Sequence, residues 1–253
     1  MNENLEFEYT KLKDGIKITK YIGAAENVII TSKIEDLPVT EIGEYAFFGC
    51  SKIKSVEMPD SVKSFGTRAF SDCYRLMQIS LPNSLTEIGC MAFENCFNLM
   101  IFENPLSKLL TVKLPDSLIE IGAKAFHYTR LRAVKFSSSV KNIDYAAFKE
   151  CKELAFVEIT DSVTRISDAV FSHCENLTQI RLSNSITKIN NGMFKGCKNL
   201  EEIKIPDSVI EIGNGVFRSC KNLRTVELPA TLEKIGSNAF YKCPAKIVYR
   251  DKK

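Results

Sequence analysis

Nine cysteines and two histidines are the side chains of this 253-residue sequence best suited to act as nucleophiles, metal ligands or redox couples. Eight of the cysteines fall on a pattern. Cys50, Cys73, Cys96, Cys151, Cys174, Cys197, Cys220 and Cys243 each lie three residues after a phenylalanine, and Thr129 fills that place after Phe126. Spacing this regular stacks the thiols in a column, one per coil of a repeating structure. Coils about 4.8 Å apart hold parallel Cβ atoms beyond the roughly 3.8 Å that a disulfide prefers. A straight column also cannot surround a metal tetrahedrally. The expectation is free cysteine packed as a small hydrophobe, with Cys90, outside the column, as the one exposed thiol.

The histidines offer little more. His127 follows Phe126 directly, and His173 lies two residues after Phe171; both positions read as solvent-facing. The adjacent His173-Cys174 pair does not make a nucleophile couple if the thiol points inward and the imidazole outward. G-x-x-x-x-G-K, G-x-S-x-G, H-E-x-x-H and a strand-linked G-x-G-x-x-G are all absent. No catalytic residue, cofactor site or metal site is assigned, and an enzyme is the weakest functional reading.

The elements that position these residues follow from the phenylalanines. Phe47, Phe70, Phe93, Phe126, Phe148, Phe171, Phe194, Phe217 and Phe240 recur at intervals of 23 residues, apart from one interval of 22 and one of 33. A fixed period of this length marks a stacked repeat architecture. One copy runs from Leu76 to Cys96. Ile79 and Leu81 alternate with Gln78 and Ser80, as in a short strand with one buried face. Pro82-Asn83-Ser84 reads as a turn. Leu85 and Ile88 form a second apolar pair. Gly43, Gly66, Gly89, Gly122, Asp144, Ser167, Asn190, Gly213 and Gly236 then occupy a column that reads as a helix N-cap. The A-F-x-x-C-x-x-L spacing of Ala92, Phe93, Cys96 and Leu99 predicts a short helical turn. The expected fold class is thus an α/β repeat solenoid, a right-handed coil of short parallel strands and short helical turns.

The string L-P-x-S-[VL]-x-x-I-G-x-x-A-F-x-x-C-x-x-L resembles the BspA-type leucine-rich repeat over residues 37 to 243. That family is found in many bacterial and some protist surface proteins, which implies a cell-surface or extracellular location and a role in adhesion or host interaction. Such proteins often open with a strand pair. Here Leu5, Phe7 and Tyr9, then Asp14-Gly15, then Ile16 and Ile18 predict a hairpin with a D-G turn. The expected organisation is a hairpin cap over residues 1–36 and a solenoid of about nine units over 37–253, forming one continuous domain. Lys246-Ile247-Val248-Tyr249 predicts a last strand.

Function then rests on surfaces. Lys plus Arg number 34 and Asp plus Glu 31, too even a balance to favour nucleic acid. Apolar runs are too short to span a bilayer, and Met1-Asn2-Glu3-Asn4 lacks the basic and apolar regions of a signal peptide. If the strands line a concave face, its exposed positions carry four acids and four bases interleaved, including Lys135, Glu158 and Arg181, with Gln179 among the neutral ones. Phe156 is the only aromatic in that row, hence the candidate anchor for a protein or host-matrix partner. Between Phe93 and Phe126 an insertion of ten residues near 100–110 offers two competing strand starts, Leu99-x-x-Phe102 and Leu109-x-x-Val112, with Pro105 at the bend of a loop that adds to the binding face. The expected module is a monomer without cofactors that neither binds nucleic acid nor inserts into membranes. An intracellular scaffold is the alternative.

Overall fold

The computed structural model describes residues 6–99 and 111–251. Two lines of short parallel strands run along the stack. The first contains the L-x-x-I-x-L segments: Asn27–Ile29, Ser55–Glu57, Gln78–Ile79, Thr111–Lys113, Ala133–Lys135, Phe156–Glu158, Gln179–Arg181, Glu202–Lys204, Thr225–Leu228 and Lys246–Tyr249. The second contains the residue pairs that end at the I-G position, from Glu41-Ile42 against Ser64–Phe65 to Glu211–Ile212 against Lys234–Ile235. Each strand is only two to six residues long because the chain must turn back to complete a coil. The recurring period brings the same column into register in each neighbour, so Val134, Val157 and Ile180 align at 23-residue steps, and Ile121, Ile143 and Ile166 align across the one 22-residue step.

The phenylalanines form the spine. From Phe47 to Phe240 the rings stack with centroids 4.9 to 6.1 Å apart and planes within 19° of parallel. Phe93 stacks on Phe126 at 5.3 Å, so the insertion leaves the spine continuous. Thr111–Lys113, which holds Val112 of the second predicted start, forms a strand paired with Ala133–Lys135, and Leu99 of the first start is fully buried; Phe102 and Leu109 lie outside the described residues. Burying each ring contributes on the order of 1.5–3 kcal/mol.

The N-terminal end is closed by a hairpin. β1 (Phe7–Leu12) pairs antiparallel with β2 (Gly15–Tyr21), and β2 lies parallel to Leu37–Ile42. Tyr21 stacks on Phe47 at 5.3 Å and so continues the ring spine into the cap. The turn is one residue earlier than expected: Leu12 pairs with Gly15, leaving Lys13 and Asp14 as the loop. Gly15 is a packing residue, since a Cβ there would lie 2.5 Å from Thr40 Oγ1 and 2.8 Å from Pro38 O.

The expected helical turns do not form. Among the described residues there is no helix, and the architecture is a β-solenoid rather than an α/β one. The reason lies in two columns of left-handed backbone. The residue two before each spine phenylalanine and the residue two after it have φ between +53° and +75° in all nine coils, for example Arg68 and Asp72, or Ala169 and His173. A left-handed residue every fourth position breaks the helical run. It also aims alternate amides outward. Tyr45, Phe47 and Gly49 donate to Thr67, Ala69 and Ser71 of the next coil, while Ala46, Phe48 and Cys50 donate back three residues to Gly43, Tyr45 and Phe47. Each coil thereby gains a third intercoil ladder, which offsets roughly 1–2 kcal/mol for each non-glycine left-handed residue.

The glycine column is likewise not a helix cap. A Cβ on Gly66, Gly89 or Gly122 would lie 2.6 to 2.7 Å from backbone atoms of the preceding coil, so glycine is what permits the coils to approach.

Candidate recognition face

The strand face carries the anticipated residues in two adjacent rows. Ala133, Phe156 and Gln179 pair in register, and so do Lys135, Glu158 and Arg181. Side chains at these positions point outward because the intervening Val134 and Val157 point into the core. Glu158 lies between its two neighbours, with Oε2 3.2 Å from Lys135 Nζ and Oε1 3.3 Å from Arg181. Around Glu158 the interleaved charge read from the sequence is therefore a cross-strand ion-pair triplet. Phe156 is 36% exposed and next to Ala133, which is 7% exposed. A half-open ring with fixed charges alongside can seat an apolar group and set its orientation. Pro105 lies outside the described residues.

The cysteine column is free and has a specific role. Cys73, Cys96, Cys151, Cys174, Cys197 and Cys220 are buried, and each Sγ donates to the carbonyl of the phenylalanine 25 or 26 residues earlier, at 3.0 to 3.2 Å. Thr129 makes a different bond: its Oγ1 donates to Phe126 O of its own coil at 2.9 Å and lies 3.3 Å from Cys151 Sγ of the next. The column selects a small side chain carrying one weak donor. Burial pushes the Cys151 and Cys220 thiols up to about 12. Cys90 is half-buried rather than exposed, and shares that state with Cys50 and Cys243 at the two ends of the column. Among the described residues no group of His, Cys, Asp and Glu is placed to hold a metal.

His127 departs from its expected solvent position. Its side chain is 12% exposed, with Nδ1 3.0 Å from Glu94 Oε1, and Arg68 lies 3.5 Å from the other oxygen of the same carboxylate. Burial lowers the imidazole pKa, against the opposing pull of Glu94. His173 is also half-buried, and burial lowers its pKa. The Cys174 thiol beside it is buried on Phe148 O. Neither histidine assembles with a nucleophile.

A second surface escaped the sequence reading. Tyr74 and Phe97 are exposed and stacked at 5.6 Å and 9°, with Tyr128 edge-on to Phe97 at 6.3 Å. The signal for the first two was present, since each directly follows a column cysteine, where other coils carry Ser51, Lys152, Glu175, Lys198 and Lys221.

This geometry of stacked coils, strand ladders and a phenylalanine spine agrees with the sequence pattern of the BspA-type leucine-rich repeat region, which matches in six copies over residues 26–152, 100–209 and 187–250. The chain belongs to that family. Among solved structures, a leucine-rich repeat protein of T. pallidum is 26% identical, with a TM-score of 0.51, over 96% of this BspA-type chain and 88% of its own. A leucine-rich repeat protein from Eubacterium ventriosum has a TM-score of 0.54 at 19% identity, covering 94% of this chain and 80% of its own. A leucine-rich cell surface protein from Faecalibacterium prausnitzii is 21% identical with a TM-score of 0.47, over 99% and 94% of the two chains. No curated protein matches the chain. No helix among the described residues is long and apolar enough to cross a membrane.

Proposed function

We propose that this BspA-type repeat protein is a non-catalytic, monomeric recognition module that binds a protein partner through the strand face around Phe156. The observation that carries this reading is the lone half-open aromatic beside the Lys135–Glu158–Arg181 ladder. The ring supplies an apolar anchor, while Lys135, Arg181 and Gln179 supply orientation and association rate. By family resemblance, the partner is a host-matrix or cell-surface protein and the module acts outside the cell. A second reading, an intracellular scaffold, is favoured by nine cysteines without a disulfide, which suit a reducing compartment.

Capture from extracellular-matrix extract and from cell lysate, each with the parent protein and Phe156→Asp, tests both readings. The source that yields a partner lost by the variant identifies the compartment. Losing an anchor of at least about 2 kcal/mol weakens binding roughly thirtyfold, while circular dichroism shows that the variant, whose ring is 36% exposed and outside the core, stays folded at the temperature of the assay. A verified partner that binds both proteins equally refutes the assignment of this face.

A further inference from the structure

Both strand lines are interrupted at nearly the same level. In the second line, Arg165–Ile166 and Lys188–Ile189 belong to separate ladders, and in the first so do Gln179–Arg181 and Glu202–Lys204. On the second line the break coincides with a change at Asn190. In the other coils the backbone amide at the glycine column donates to the preceding coil, as Gly66 does to Ile42 O, Ser167 to Ile143 O and Gly213 to Ile189 O. Asn190 breaks this rule: its side-chain Nδ2 takes Ile166 O instead. The next column carries Val170, Met193 and Val216 where most coils have alanine, and the Phe171–Phe194 spacing of 6.1 Å is the widest in the spine.

Along the first line this interruption leaves a cleft of about 350 Å³, lined by Ile180, Arg181, Leu182, Lys204, Asp207 and Arg250 among others. Three observations concern its donors. Phe136, Ile159 and Ile205 donate their amides to the next coil at Glu158, Arg181 and Glu227, but the equivalent Leu182 amide has no acceptor among the described residues. Arg250 reaches back to Asp207 at 2.8 Å, and its Nε is buried without a partner. Lys204 has no ion pair among the described residues, unlike Lys135 and Arg181 on the same row. Arg181 is paired with Glu158, and Arg250 with Asp207 and Ile205 O, which leaves Lys204, the Arg250 Nε and the Leu182 amide as donors with nothing in the cleft to receive them.

We propose that this cleft binds a small ligand through an oxyanion, a carboxylate or a phosphate, held by Lys204, Arg250 and the Leu182 amide, with its apolar part against Ile180. The cleft shares Arg181 with the recognition face but does not depend on that face having a partner.

The test is a titration of ¹⁵N-labelled protein with inorganic phosphate and, separately, with acetate. Saturable shifts are expected at the amides of Arg181, Leu182 and Lys204 with at least one of the two ions, and the ion that saturates them identifies the oxyanion. Lys204→Gln removes an exposed cation without disturbing the core and weakens that binding about tenfold. Arg224→Gln, outside the cleft, leaves it unchanged. Shifts that stay linear with both ions, as expected of screening alone, or a Lys204→Gln protein that binds as tightly as the parent, overturn the proposal.

Discussion

The thiols give the sharpest quantitative test of the packing. A thiol reagent attacks the thiolate, so its rate depends on access and on thiolate fraction together. For Cys151 and Cys220, with pKa values near 12, the thiolate fraction at about pH 8 is on the order of 10⁻⁴, against about 10⁻¹ for a thiol of ordinary pKa. Ionisation alone therefore slows these two roughly a thousandfold, and full burial slows them further. The same applies in direction to Cys73, Cys96, Cys174 and Cys197, which burial also pushes upward. Cys50, Cys90 and Cys243 are half-buried with more modestly raised pKa values. The expected result in a chromogenic thiol assay is nine thiols in denaturant and a fast phase of three in native protein. Because the pKa values of those three are raised, their rate keeps climbing with pH beyond the range where an ordinary thiol levels off. Mass spectrometry of the modified peptides assigns the fast phase. Fewer than nine thiols in denaturant, or buried cysteines reacting as fast as Cys50, Cys90 and Cys243, would refute both the ladder and the burial it implies.

Two further outcomes test how the coils hold together. Phe171→Ala removes a fully buried ring stacked between Phe148 and Phe194; urea denaturation should show a loss of about 3–5 kcal/mol, with hydrogen exchange accelerating first in the adjoining coils, and a loss no larger than that of Phe156→Ala would place Phe171 outside the core. Gly89→Ala puts a Cβ 2.6 Å from Phe65 O, where only backbone can yield, and should cost about 1–3 kcal/mol; an unchanged denaturation midpoint would show that the coils do not approach as closely as described.

Most of the fold was legible in the sequence because a stacked repeat is nearly one-dimensional. The interval of 23 residues aligns the columns, and once Phe47 through Phe240 are superposed, the period-two alternation around Ile79 and the apolar Ile88 column leave only one way to bury both. The helical turn was misread for a physical reason. The A-F-x-x-C spacing does place Ala92, Phe93 and Cys96 on one side, but two successive β-turns with left-handed residues at Met91 and Asn95 do so equally well. The positions two before the spine phenylalanines hold Tyr45, Arg68, Met91, Lys124, Ala146, Ala169 and Asn238, with glycine only at 192 and 215. Composition gave no warning there, because the strain is offset by intercoil hydrogen bonds that no single coil contains.

The candidate sites divide along the same line. Phe156 and its charged neighbours could be placed from one coil, since a strand position next to a buried valine must face out. The burial of His127 against Glu94 depends on two coils at once, and the pairing of Glu158 with both Lys135 and Arg181 and the cleft beside Lys204 on three or more. Repetition makes the average coil predictable and leaves function to the exceptions, and an exception such as Asn190 acts through its neighbours. Asn190 is ordinary as a turn residue, yet its side chain takes Ile166 O at the level where Arg165–Ile166 and Lys188–Ile189 fall into separate ladders. Sites in a solenoid of this kind are therefore best sought where a column changes residue type and a ladder breaks at the same level, a condition met here between Ile166 and Lys204.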